Sequence, residues 1–146
     1  MNFIQELYNY KYIIVPVLLW FFIQLFKVLY DLVIFKRFNF KRILGAGGMP
    51  SSHSAVVTSL ATLIGKNEGF DTHIFALSLI FAFVVMYDAA GIRRAAGKQA
   101  KLLNKIIETP GLTGMQVSER LVEVLGHTPV QVIVGALIGV ITGILI

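Results

Sequence analysis

Residues 47–54 read Gly47-Gly48-Met49-Pro50-Ser51-Ser52-His53-Ser54 and open an apolar stretch. Glycines that let the backbone turn, a proline, small hydroxyls and one imidazole are suited to aim N–H groups and a titratable ring at a phosphate. Ser51 can cap the helix that follows, with Pro50 shaping the turn before it. The free N–H groups of the first turn then carry the positive end of the helix dipole, with His53 among them. Gly126-His127-Thr128-Pro129-Val130-Gln131 has the same character. Thr128 is a good N-cap and Pro129 fits the first helical position. Thr128 and Gln131 have capping-box spacing, and capping alone accounts for the glutamine. His127 therefore stands just ahead of a second helix start. Two such starts aimed at one spot make an anion site without a metal.

A third group is Asp88 followed by Arg93 and Arg94. The guanidinium fork matches two phosphate oxygens. Asp88 is expected either to orient an arginine or a histidine or to form a plain helix-end ion pair. Lys27 and Asp31 are four apart inside an apolar run, so they can pair with each other. Charge inside a crossing is a functional hint, and a structural pair explains it equally well. His73 has no motif around it. No H-x-x-x-H pattern or carboxylate cluster has metal-ligand spacing, so no metal and no cofactor are expected.

These groups need elements to hold them, and the composition says which kind. The chain has 146 residues, 56% of them hydrophobic and only 14% charged, with a mean hydropathy of +0.76. A soluble domain carries roughly 25% charged residues. With no cysteine, disulfides and thiolate metal sites are excluded. The net charge of +5 does not call for nucleic acid. Apolar helices are expected at about 12–35, 52–65, 72–90 and 129–146, in a single domain spanning 1–146. The first is long enough for a bilayer, which needs about 20 residues. The third is expected to continue as a helix to about Glu108, where Thr109-Pro110-Gly111 stops it.

Basic residues mark the topology. Lys36, Arg37, Lys41 and Arg42 follow the first run, and Arg93, Arg94, Lys98, Lys101, Lys105 and Arg120 lie between the third and the fourth. The positive-inside rule places both segments in the cytoplasm, which four crossings satisfy. The Pro50–His53 turn, the arginine pair and His127 then share one membrane face. Arg94, Lys98, Lys101 and Lys105 recur at helical spacing as one basic stripe, read as a solvated or lipid-headgroup face. Arg93 lies on another side, with Ala96, Gly97, Ala100 and Asn104, and is expected to point inward. Gly135, Gly139 and Gly143 follow the small-xxx-small pattern, for packing within the bundle or between protomers.

Pro50-Ser51-Ser52-His53 resembles the P-S-G-H motif of the superfamily of type 2 phosphatidic acid phosphatases and vanadium haloperoxidases. Gly126-His127 with Gln131 resembles its last motif, in which an aspartate follows the histidine by four. The run Asp88 to Ala100 and the Gly126-His127-Thr128-Pro129 sequence are similar to a short, divergent, acid phosphatase-related branch. The resemblance implies that His127 is the nucleophile and His53 the general acid. It implies that Ser51, Ser52 and nearby N–H groups hold the phosphate, with Arg93, Arg94 and Lys27 as cationic partners and Gln131 and Asp88 as orienting groups. Ser52 stands where the motif has glycine, and Gln131 where it has aspartate. Arg120 precedes His127 by seven residues, where the superfamily spacing is six.

The expectation is an all-α integral membrane bundle of about four apolar helices, the third with a cytoplasmic extension. It would lie in the cytoplasmic membrane with its site facing the cytoplasm. It would hydrolyse a phosphatidate or a polyprenyl (di)phosphate through a phosphohistidine. Its partners would be the lipid bilayer and the lipid phosphate, with no nucleic acid, and a homo-oligomer could form through Gly135, Gly139 and Gly143. The rival is a non-catalytic scaffold that binds anionic lipid headgroups.

Overall fold

A computed structural model of the chain describes residues 10–36, 48–109, 121 and 126–146. It is a helical membrane bundle, and among the described residues there is no strand. The helices are α1 (Lys11–Phe35), α2 (Ser52–Glu68), α3 (His73–Ala90), α4 (Ile92–Glu108) and α5 (Pro129–Leu145). Lys11–Ile34 and His73–Glu108 are long and apolar enough to cross a membrane, and α5 is a shorter apolar helix.

The least apolar of the crossing runs lies at the centre. Ser52, Ser54, Ala55, Thr58, Ser59, Ala61 and Gly65 of α2 are all buried. The large residues of α1 and α3, among them Phe21, Phe22, Phe26, Leu77, Phe81 and Phe83, point outward. In water this would be inside out. In lipid it is the expected order, because hydrocarbon takes the large side chains while small residues let backbones approach.

The seam between α2 and α5 depends on that approach. Gly135, Gly139 and Gly143 are buried. A Cβ on Gly139 would overlap Thr58 Oγ1 and the Ala55 carbonyl, and one on Gly143 would strike Thr62. Thr58 Oγ1 donates to the Ser54 carbonyl (2.8 Å) and stands 3.0 Å from the Ala136 carbonyl. The glycine stripe is therefore packed within the chain, against α2.

α2 and α5 run parallel. Their first turns meet where Ser51 N–H donates to the Gln131 carbonyl, and their far ends meet where Lys66 Nζ donates to the Ile144 carbonyl. α1 runs antiparallel to α2, with Lys11 and Tyr12 against Asn67 and Glu68. The second run thus reaches from one end of the bundle to the other, its 17 residues rising about 25 Å. The expected alternation of directions is present.

The third element departs from expectation at one residue. Gly91 takes φ −103° and ψ −85°, which divides the anticipated single helix into α3 and α4. The turn keeps two helical bonds, Gly91 N–H to the Tyr87 carbonyl and Ala95 N–H to the Gly91 carbonyl. A Cβ at Gly91 would sit 2.9 Å from the Tyr87 oxygen, so the missing side chain accommodates the bend. α4 stops at Glu108, with Thr109 as its C-cap, as read from the sequence.

Candidate active site

The two histidines meet at the end of the bundle where α2 and α5 begin. Ser51 caps α2 with its Oγ accepting from Ser54 N–H (3.3 Å) and from Ser54 Oγ (2.9 Å). His53 follows in the first turn, half-buried. Across from it, Gly126 has φ +84°, and a Cβ there would collide with the backbone of Arg93 and Arg94. Only glycine fits both demands. That close approach delivers His127, whose N–H donates to the Ala89 carbonyl (2.9 Å). Thr128 and Gln131 then form the anticipated capping box. The His53 and His127 ring centroids stand 6.2 Å apart, with the planes at 61°.

His127 is the anomaly of the molecule. It is 3% exposed, and neither ring nitrogen has a hydrogen-bond partner among the described residues. Buried polar atoms are ordinarily satisfied. Burial first, and then the charge of Lys27, push its pKa below the ordinary histidine value. The Gln131 side chain and the Gly48 backbone are close enough to offset part of that shift without meeting hydrogen-bond geometry, and His53 adds to the lowering. Burial thus favours the neutral form of the ring.

The expected cations divide into two groups. Lys27 of α1 is 4% exposed, and its charge acts on both rings. Arg93 Nε donates to Asp88 Oδ2 at 2.7 Å, and the charges of both residues reach His53. Asp88 and Arg93 thus form an ion pair across the end of α3, a geometry common to both tasks anticipated for Asp88. With side chains 49% and 34% exposed, the pair adds little stability, ~1 kcal/mol at most. Arg94 is exposed and is not among the charges acting on either histidine. It lies on the basic stripe of α4, and its backbone packs against Gly126.

Two further site residues make the helix caps expected of them. Ser51 is fully buried and its oxygen is engaged by the cap. Gln131 Oε1 accepts from Thr128 N–H at 2.9 Å, so its strongest bond belongs to the helix start and not to the imidazole. Ser52 is buried beside them. Arg37, Lys41, Arg42 and Arg120 lie outside the described residues.

One feature of the site has no counterpart in the motifs. A groove of about 570 Å³ runs between α1 and α5 below the Gly48–Pro50 turn. Phe22, Ile23, Phe26, Met49, Val134 and Ile138 give it apolar walls, and Lys27 and Asp31 lie along it. The one trace of it in the sequence is the Lys27/Asp31 pair inside an apolar run.

Comparison with known proteins follows the same line as the geometry. Residues 8–142 match the family described as the divergent PAP2 family. The chain is 37% identical over 131 residues to a Bacillus subtilis (strain 168) protein named "Uncharacterized membrane protein YuiD", covering 82% of this chain and 83% of the relative. No solved structure matches the chain.

Proposed function

The chain belongs to the divergent PAP2 family, and on that premise we propose that it hydrolyses a lipid phosphate, a phosphatidate or a polyprenyl (di)phosphate, through a phosphohistidine and without a metal. The observation that carries this reading is His127, buried with both nitrogens unmatched and facing His53 at the start of two helices.

In the first step a ring nitrogen of His127 attacks phosphorus, and the bond from phosphorus to the lipid oxygen breaks. His53 gives that oxygen its proton. In the second step water attacks the phosphohistidine, His53 takes the proton, and the N–P bond breaks to release phosphate and restore His127. Splitting one hard displacement into two easier ones is what covalent catalysis gains. The step requires the two histidines to hold opposite protonation states. The lowered pKa of His127 supports its part as the neutral nucleophile. Lys27 and Arg93 supply charge for the phosphoryl oxygens. The groove between α1 and α5 supports a substrate with a hydrocarbon tail, since its walls are apolar and Lys27 stands along it. The basic residues Lys36, Lys98, Lys101 and Lys105 follow helix ends on the histidine side, which supports a cytoplasmic site.

The test is phosphate release by the purified chain in detergent, from a panel of lipid phosphates with excess chelator. Release that persists in chelator and vanishes in His127→Ala is expected, and the panel identifies the tail. Release that survives His127→Ala would overturn the mechanism. One observation favours the scaffold reading, in which the site binds headgroups without turnover: the Gln131 oxygen caps a helix, so no carboxylate stands behind His127. Absence of turnover both in the wild type and in Gln131→Asp would establish that reading.

A further inference from the structure

α4 is unlike every other described helix, and its three sides differ from one another. Gly97, Ala100 and Asn104 are buried, and Asn104 holds Leu121 through two bonds, Nδ2 to the carbonyl (2.9 Å) and N–H to Oδ1 (3.0 Å). At 100° per residue, Arg94, Lys98, Lys101 and Lys105 share a second side, and all four are exposed. The third side carries Ile92, Leu102, Leu103 and Ile106, which are 64%, 60%, 48% and 40% exposed.

A helix projecting straight from the membrane would hold those four side chains in water. The non-helical dihedrals of Gly91 leave room for an alternative, because this single residue separates α4 from the crossing helix α3. The apolar side of α4 therefore begins at the bilayer boundary, and the cationic side adjoins it. A strongly two-sided basic helix of this kind lies in the interface plane, and its lysines favour anionic leaflets.

We propose that α4 is an interfacial helix that lays Ile92, Leu102, Leu103 and Ile106 into the acyl boundary of an anionic bilayer, with Arg94, Lys98, Lys101 and Lys105 among the lipid phosphates. The occupant of its exposed face is the protein's own membrane, recognised by complementary charge. Arg93, the second residue of α4, is paired with Asp88 beside His53. Anchoring α4 thereby holds the arginine and the histidine end of the bundle at phosphate depth. The inference stands apart from catalysis and holds equally for a headgroup-binding scaffold.

The absence of cysteine makes single labels clean. The full chain carrying Leu103→Cys or Lys101→Cys, each with a bimane label, is reconstituted in nanodiscs of phosphatidylcholine with or without phosphatidylglycerol. Brominated lipid reports burial and aqueous iodide reports exposure. The label at residue 103 is expected to be quenched by lipid and shielded from iodide, and the label at 101 the reverse. Lipid quenching at 103 should rise about twofold in anionic discs, in keeping with charge attraction. Lys98→Gln/Lys101→Gln/Lys105→Gln should cancel that rise, while a label at Phe21→Cys on α1 reads unchanged and certifies the fold. Iodide access at 103 equal to that at 101 would overturn the proposal, as would shielding seen only in discs holding two copies, which would assign the face to a second chain. Equal lipid quenching in neutral and anionic discs would overturn its anionic part.

Discussion

The two ends of the bundle treat polar groups in opposite ways. At the end away from the histidines, Lys11 donates to Asn67, Tyr12 to Glu68, and Lys66 to the last-turn carbonyl of Ile144. Each contact ties one helix to another. At the histidine end, His127 is more deeply buried than any of these groups, yet its nitrogens make no hydrogen bond of good geometry among the described residues. An unsatisfied buried group costs about 1–3 kcal/mol. The bundle satisfies these polar groups at one end and leaves a buried ring unmatched at the other, and the proposed ligand site rests on that contrast. One end clamps the helices, and the other brings the two histidine rings together.

The largest test of this contrast is His127→Ala. Turnover of the preferred lipid phosphate should fall at least ~10³-fold, as for loss of a covalent nucleophile. His53→Ala should cost ~10²–10⁴-fold, the range for general acid–base groups. In detergent the Tm of His127→Ala should move by only a few degrees, because lost packing is offset by removal of two unsatisfied nitrogens. A large fall in Tm with retained turnover would reverse the comparison and make the ring structural.

Gly139→Val tests what joins the two ends. The added side chain would overlap Thr58 and Ala55, and neither can move without separating α2 from α5. Overpacking of this kind costs ~1–3 kcal/mol. Thermal unfolding should begin well below the wild type, and activity should disappear along with the clamp at the far end. Loss of activity with an unchanged Tm would mean that the seam serves the site alone.

Burial of His127 also makes a statement about pH. Its folded pKa lies below the ordinary histidine value, so below about pH 6.5 the unfolded chain binds more protons than the folded one. Stability should therefore be level above that pH and decline as the pH falls towards the folded pKa. His127→Ala should flatten this slope. Turnover needs the neutral ring, so its acid limb should also lie below pH 6.5. Gln131→Asp places a carboxylate beside the imidazole and keeps an acceptor at the helix start. It should raise the acid limb by about one unit, with turnover kept or increased. An unmoved limb would mean that residue 131 does not reach the ring.

What could be read from the sequence was local. Ser51 and Thr128 act as caps through bonds to residues three positions on, and spacing alone exposes such bonds. The glycine stripe of α5 was equally legible as a packing face, though not its partner, because α2 offers its hydroxyls and alanines from about eighty residues away. The approach of His53 to His127 followed from charge placement along the chain, which assigns both helix starts to one membrane face. The break at Gly91 was not legible. Asp88 to Ala100 has good helical character throughout, and only the crowding of the Tyr87 carbonyl distinguishes one residue. The groove was equally hidden, because Phe22, Phe26, Val134 and Ile138 look like any lipid-facing residues until α1 and α5 are placed side by side. Arg93 and Arg94 are neighbours in sequence, and helical spacing alone already set them on different sides of α4; what the spacing did not name was the Asp88 partner distance of Arg93.

The smallest effect belongs to Lys66→Met. Lys66 Nζ reaches the Ile144 carbonyl at 2.7 Å, where α5 ends and its last carbonyls have no partners within the helix. A cation there also meets the negative end of the helix dipole. The contact is exposed, and water can replace it, so the loss should be ~0.5–1 kcal/mol. Phosphate release should be unchanged, because the substitution alters neither the charge near the histidines nor the helix starts. Measuring Tm and turnover on the same preparation separates the two ends. A small fall in Tm with constant turnover keeps them independent. A fall in turnover would mean that a disturbance at the clamped end travels the length of α2 to the histidines, and that the clamp is part of the site.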